Sequence, residues 1–254
     1  MKLHFRSFGQ GEPLIILHGV FGSSDNWQTV GKSLSGQFKI YLVDQRNHGS
    51  SPHSEEFNYS VMADDLLSLM MDEGIESAHL LGHSMGGKTA MTFTTRYPER
   101  VKKLIVVDMA TRYYPPHHEN IFRAFRSLNL PEIQSRKQAD DELAHELPDF
   151  GVRQFILKNL TRKDNDFVWK LNLDAIEANA EKIGAALDDD AWFNGHVLFI
   201  GGSESDYIQK SDFEAIHQHF PNAKIEFISG AGHWVHAEQP RPLIQKVTDF
   251  LLNG

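Results

Sequence analysis

The segment GHSMGG, Gly82 to Gly87, places a serine between glycines in the pattern G-x-S-x-G. It follows a short apolar run, AHLLG, and precedes an amphipathic stretch, so the serine falls at a strand-to-helix turn. A turn sharp enough to lift a side chain above a sheet crowds the positions two residues on either side. Gly82 and Gly86 relieve that crowding, because glycine carries no Cβ. Such a serine is a weak nucleophile until a base takes its proton. GAGHWVH, Gly230 to His236, supplies a base: His233 sits among small residues on a loop late in the chain. Acyl transfer also needs two preorganised donors for an oxyanion. One would be the amide of Met85, directly after the nucleophile. HGVFGS, His18 to Ser23, offers the second, with the Val20 amide first and the Phe21 amide as the alternative. His18 itself reads as a structural residue beneath that loop.

A serine and a histidine still need an acid that holds the imidazole in the productive tautomer. Two carboxylates close strand-like runs at suitable places. Asp108 ends KLIVVD, and Asp206 lies in GGSESDYI. From the residues alone both stay open. Asp44, in VDQRNHGSS, also ends a run and reads with Arg46 as a loop-ordering partner. His236 lies three residues beyond His233, but no third ligand accompanies the pair, so no metal site is expected.

These groups must be carried by a scaffold. PLIIL, KIYLVD, AHLLG, KLIVVD, VLFIGG and KIEFIS are short, rich in branched residues, and show little polar alternation. Strands of that kind are covered on both faces, as in a mainly parallel sheet. Leu3 to Phe8 alternates more and suits an antiparallel edge strand. Between the runs, Tyr59, Met62, Ala63, Leu66, Leu67, Met70 and Met71 recur at helical spacing, with Asp64, Asp65, Ser68 and Asp72 opposite. Further helices are expected from Met85 to Tyr97 and from Pro242 to Leu252. Repeated strand, helix, strand predicts an α/β fold. Residues 111–190 contain no clear strand run, and are too long for a structureless loop. They read as a helical insertion, leaving 1–110 and 191–254 as the core.

Composition narrows the function. The formal net charge of -9 disfavours nucleic acid as a partner. Without cysteine the chain has no disulfide, no thiolate nucleophile and no thiolate-bound metal. The opening MKLHFRSFG carries charge where a secretion signal needs an apolar core, and no stretch is long enough to span a bilayer. A cytoplasmic protein that acts on a small molecule, with no membrane partner, is expected; oligomeric state stays open.

HGVFGSSDNW, VDQRNHGSSPHS, GHSMGGKTAM and GAGHWVHAEQP together resemble the bacterial YbfF-type esterases of the α/β-hydrolase superfamily. The similarity runs along nearly the whole chain and is weakest across the insertion. It implies the α/β-hydrolase fold with a small helical cap at 111–190, and cofactor-free cleavage of carboxylic esters. It also bears on the acid. Most of the superfamily carries it in a pattern like G-x-x-D-x-[YF]-[VI], where this chain has Ser205 and Asp206 is displaced by one. YbfF-type enzymes similarly have serine there and use the acid of the earlier strand, which favours Asp108.

The expected function is therefore a serine carboxylesterase, acting on short uncharged esters or small thioesters through an acyl-enzyme. Phe21 and the insertion, with Tyr113, Tyr114, Phe122 and Trp169 as candidate lining, would wall the acyl pocket. Lactone or carbon–carbon hydrolysis and perhydrolysis are alternatives on the same triad. A non-catalytic ligand binder on this fold is the alternative from another class.

Overall fold

A computed structural model describes residues 1–253. Seven strands form the central sheet: β1 (Phe5–Phe8), β2 (Glu12–Leu17), β3 (Phe38–Val43), β4 (Ala78–His83), β5 (Val101–Val107), β8 (His196–Gly202) and β9 (Ala223–Ile228). β6 (Leu160–Lys163) and β7 (Asp166–Trp169) pair separately. The sheet order is β1-β3-β2-β4-β5-β8-β9. β1 is the antiparallel edge expected from its alternation, and the other pairings are parallel.

Period-two geometry explains why these runs are apolar throughout. Ile15 and Leu17 of β2 enter one core, with Leu80 of β4 and Leu104 and Val106 of β5. Leu14, Ile16, Leu81, Ile105 and Val107 enter the other. The first core is closed by the Tyr59–Asp72 and Met85–Arg96 helices, and the second by the Gln28–Leu34 and Pro240–Asn253 helices. Both faces are therefore dry.

The topology also makes a crevice. From β2 the chain moves outward to β3, then crosses to β4 on the other flank of β2 and continues to β5. Loops leaving β2 and β4 thus run in opposite directions at their carboxyl ends, which is where open α/β sheets bind ligands. Those two loops carry Val20 and Ser84.

Two expectations need correction. In the Tyr59–Asp72 helix, Met71 is exposed and Leu69 takes a core position. Asp65, placed on the solvent face by spacing, is buried and paired with Arg46 at 2.6 Å and with the terminal ammonium at 2.5 Å. A buried charge is tolerated there because it is doubly paired. The 111–190 insertion is also not purely helical. Beside the Glu119–Ser127, Arg136–Leu143, Phe150–Leu157, Leu173–Ala178 and Ala180–Ile183 helices it holds the β6–β7 hairpin. Asp164 and Asn165 form its two-residue turn, with Asp164 at φ 55. This residue pair suits the positive φ that tight hairpins require. LTRK shows little apolar signal because three of its residues are not buried, so pattern reading passes over it. Among the described residues no helix is long and apolar enough to cross a membrane.

Candidate active site

Ser84 sits between β4 and the Met85–Arg96 helix at φ 52 and ψ -121, a conformation that costs a non-glycine residue about 1–3 kcal/mol. Its neighbours explain the glycines, and refine the expected reason for them. A Cβ on Gly82 would lie 2.2 Å from the Gly86 carbonyl oxygen. One on Gly86 would lie 2.4 Å from the Leu17 carbonyl oxygen, so Gly86 makes room for the end of β2 rather than for Gly82. The turn is packed backbone against backbone.

The structure brings three of the expected residues together. Ser84 Oγ lies 3.0 Å from His233 Nε2, and His233 Nδ1 lies 2.7 Å from Asp108 Oδ2. A carboxylate can only accept, so Nδ1 carries the proton and the Nε2 lone pair faces the serine hydroxyl. Asp108 is fully buried at the end of β5, at φ 49. Its other partners are the Gly202 amide at 3.0 Å and the Ser205 hydroxyl at 2.5 Å, so three donors converge on one carboxylate. Asp206, the alternative acid, is exposed and makes no bond to His233 among the described residues. Its backbone carbonyl accepts instead from Arg112. Ser205, in the loop after β8, donates its hydroxyl to Asp108.

The loop after β2 divides the two oxyanion candidates. The Phe21 amide donates to His48 Nε2 at 3.3 Å, and is therefore engaged. Neither the Val20 nor the Met85 amide has a protein acceptor among the described residues. Phe21, at φ 60, is held by its own carbonyl as well, which accepts from Asn159 Nδ2 of the insertion at 2.8 Å. His18 lies beneath the loop as expected. Its Nδ1 donates to the Gly19 carbonyl at 2.8 Å, and its Nε2 accepts from the Gln45 amide at 3.0 Å. Asp44 orders the same region, accepting from the amides of Ser24 and Ser50. Arg46 acts through Asp65 and the Glu56 carbonyl.

Several participants give no sequence pattern of their own. Tyr207 stacks on the His233 ring, with centroids 3.8 Å apart and planes 18° apart. Burial raises its pKa to about 12, so the phenol stays protonated and donates to His117 Nε2 at 2.6 Å. His83 donates from Nε2 to the His233 carbonyl at 2.8 Å, and burial holds its pKa well below the usual histidine range. His236 stacks on Trp27 at 4.5 Å, and burial lowers its pKa to about 3. It is thus a neutral packing group close to His233. Lys88, six residues after Gly82, is buried, and its Nζ donates to the carbonyls of Thr111, Arg112 and Ala185. Burial lowers its pKa to about 7, yet three acceptors match the three N–H bonds of the ammonium. The Met85–Arg96 helix thereby grips both ends of the insertion. Only the K of GHSMGGK hinted at it.

A hollow of about 480 Å³, including its mouth, opens beside Ser84. Val20, Phe21, Met85, Tyr114, Phe122 and Ile183 are among its walls. Tyr114 and Phe122 were expected there. Tyr113 points away to Glu181, and Trp169 packs edge-on against Phe125 inside the insertion. Among the described residues no three His, Asp or Glu side chains are grouped so as to hold a metal ion.

Comparison with known proteins agrees with this architecture. Residues 12–240 match the family model described as alpha/beta hydrolase fold. The chain belongs to that family. It is 35% identical to esterase YbfF of Escherichia coli, over 99% of both chains. It is 37% identical to sn-1-specific diacylglycerol lipase ABHD11 of Danio rerio, over 97% of this chain and 80% of that one. A solved marine microorganism esterase superposes with a TM-score of 0.96 at 43% identity, covering 98% of this chain and 99% of that one. The resemblance drawn from the four motifs therefore extends through the insertion as well.

Proposed function

We propose that this carboxylic ester hydrolase works through an acyl-enzyme on Ser84, with His233 as base and Asp108 as the acid behind it. The observation that carries the reading is the unbroken relay from Ser84 Oγ to His233 Nε2 at 3.0 Å and from His233 Nδ1 to Asp108 at 2.7 Å. In the first step Oγ attacks the ester carbonyl while His233 takes its proton. The amides of Val20 and Met85 receive the oxyanion, since the Phe21 amide is already engaged. His233 then passes the proton to the departing alcohol. In the second step water, activated by the same imidazole, releases the acid.

Residues 111–190 act as a cap over this site, and the acyl chain lies in the hollow under Phe122 and Ile183. No Asp, Glu, Lys or Arg lines that hollow, which favours an uncharged acyl group. Small neutral carboxylic esters are the substrates on this reading, thioesters included, with no cofactor.

A fluorophosphonate tests the proposal. Intact-mass measurement is expected to find one adduct, mapped by digestion to Ser84 and absent from Ser84→Ala. Ester turnover that survives unchanged in Ser84→Ala would end the reading.

A further inference from the structure

The turn that carries Val20 is held in a form its own sequence disfavours. Gly22 N–H donates to the Gly19 carbonyl at 3.0 Å and closes the turn. Positive φ falls at its third residue, Phe21, and not at Val20. That combination marks a type II turn, which prefers glycine at this place. A phenylalanine there relaxes by turning the Val20–Phe21 peptide over into the type I form, where φ is negative. Two side chains hold it back. His48 Nε2 accepts from the Phe21 amide, at a long 3.3 Å, while Asn159 Nδ2 donates to the Phe21 carbonyl at 2.8 Å. His48 belongs to the core; Asn159 belongs to the insertion.

Asn159 is placed to deliver that bond rigidly. It is buried between the Phe150–Leu157 helix and β6. Its N–H donates to the Ile156 carbonyl and its carbonyl accepts from the Lys170 amide, both at 2.9 Å. The Phe21 ring meets Phe122 and Phe125 of the same insertion, with centroids 5.2 and 5.6 Å apart. Asn159 is not among the walls of the hollow beside Ser84, so its reach into the site is through Phe21 alone. The insertion also bonds to the core away from this turn, where Asn179 Nδ2 donates to the Glu55 carbonyl at 3.1 Å.

We propose that Asn159 is a positioning residue for the oxyanion site, so that the insertion takes part in stabilising the tetrahedral intermediate. This rests on the acyl-enzyme reading above, in which the Val20 amide is an oxyanion donor. Fixing the Phe21 carbonyl keeps the turn in one form, and a turn free to change form no longer aims the Val20 N–H in one direction. The charged oxygen exists only after Ser84 has attacked, so a planar ester binds without using this bond. Losing Asn159 therefore lowers kcat and leaves KM nearly unchanged.

Two ketones separate those states. Trifluoromethyl pentyl ketone adds to Ser84 as a tetrahedral adduct with a charged oxygen, whereas methyl pentyl ketone has the same chain and stays planar. Asn159→Ala, and Asn159→Leu, which keeps the bulk at this buried place should alanine unfold it, are followed on p-nitrophenyl butyrate, with circular dichroism as the check on folding. Each is expected to lower kcat and to weaken the trifluoromethyl ketone by the same factor, about ten- to a hundredfold. KM and inhibition by methyl pentyl ketone should stay within about twofold. Asn179→Ala, which removes an insertion-to-core bond elsewhere, should leave all four values within about twofold. Trifluoromethyl ketone inhibition of the Asn159 variants within about threefold of the wild type, or an equal loss in Asn179→Ala, overturns the role of Asn159. A wild type that binds the two ketones alike and takes no fluorophosphonate would instead remove the acyl-enzyme reading, and this proposal with it.

Discussion

Replacing Asp108 by asparagine separates the chemistry of the acid from the strain at its position. Asp108 stands at φ 49, where alanine would be strained, but asparagine visits the left-handed region readily. The backbone of the variant is thus expected to stay in place. Its side chain cannot serve the same partners. The carboxylate accepts from His233 Nδ1–H, from the Gly202 amide and from Ser205 Oγ–H. If the amide oxygen faces Gly202, the NH2 group confronts Nδ1, and a donor opposite an N–H forces the imidazole into its other tautomer. The Nε2 atom then carries the proton and cannot take one from Ser84. If the oxygen faces His233 instead, the NH2 group meets the Gly202 N–H inside a fully buried site, leaving two donors opposed at a cost of about 1–3 kcal/mol each. The first arrangement is cheaper, and it is the inactive one. Loss of the correct tautomer costs roughly a thousand- to ten-thousandfold in turnover, about 4–5.5 kcal/mol of transition-state stabilisation. Asp206→Asn, at an exposed side chain, should change kcat/KM by less than about threefold. Both variants can be followed with p-nitrophenyl butyrate, and circular dichroism checks that each is folded. A crippled Asp206→Asn beside a nearly normal Asp108→Asn would refute the assignment and the tautomer reasoning behind it.

Two further outcomes follow from buried groups outside the Ser84, His233 and Asp108 hydrogen-bond chain. Lys88→Met strands the carbonyls of Thr111, Arg112 and Ala185, and should lower stability in urea by roughly 3–5 kcal/mol; a loss under about 1 kcal/mol would show that the clamp is dispensable. His236 has a folded pKa of about 3 against 6.5 for an unburied histidine, so the unfolded chain binds the extra proton between those values, and stability falls as pH drops through that window. Compared with the wild type, His236→Gln should flatten the pH dependence of the unfolding free energy by about 1.4 kcal/mol per pH unit near pH ~5, and identical slopes would contradict a neutral buried imidazole.

The sheet and the serine turn were legible because their signals are local. An apolar run ending in G-x-S-x-G needs no distant partner to be recognised, and the six expected core runs are six of the seven sheet strands. What stayed open depends on contacts between remote segments. Asp108 and Asp206 both end strand runs, and only the arrival of His233 and Ser205 beside one of them separates the two. Asp65 shows why spacing alone misleads: a helical wheel puts it outside, but Arg46, from nineteen residues earlier, comes to meet it inside. The hairpin in the insertion escaped notice for the opposite reason, since only one of the four residues in its first strand is buried. Tyr207, His83 and Lys88 belong to no spacing rule, and act through partners far along the chain.

The positive-φ residues show how the fold sustains such a site. Outside glycine there are five among the described residues: Phe21, Asn47, Ser84, Asp108 and Asp164. Asp164 belongs to the hairpin turn, where positive φ is routine. Ser84 and Asp108 directly follow β4 and β5, while Phe21 and Asn47 lie in the loops after β2 and β3. At about 1–3 kcal/mol each, the strain at Phe21 and Ser84 alone is a sizeable share of the stability of an ordinary domain, so it must be offset locally. The offset is visible in the bonds that hold each residue. Ser84 N–H donates to the Val107 carbonyl, and Asp108 N–H to that of Ile200, each tying a strained residue to the neighbouring strand. Phe21 is held through its amide by His48 and through its carbonyl by Asn159, and Asn47 donates its N–H to the Pro52 carbonyl and accepts from the Asn172 amide. A parallel sheet buried on both faces keeps those neighbours fixed, which is why the strain collects at its carboxyl edge. Loosening any one strand end would relax the angle that aims its side chain before it unfolded the domain.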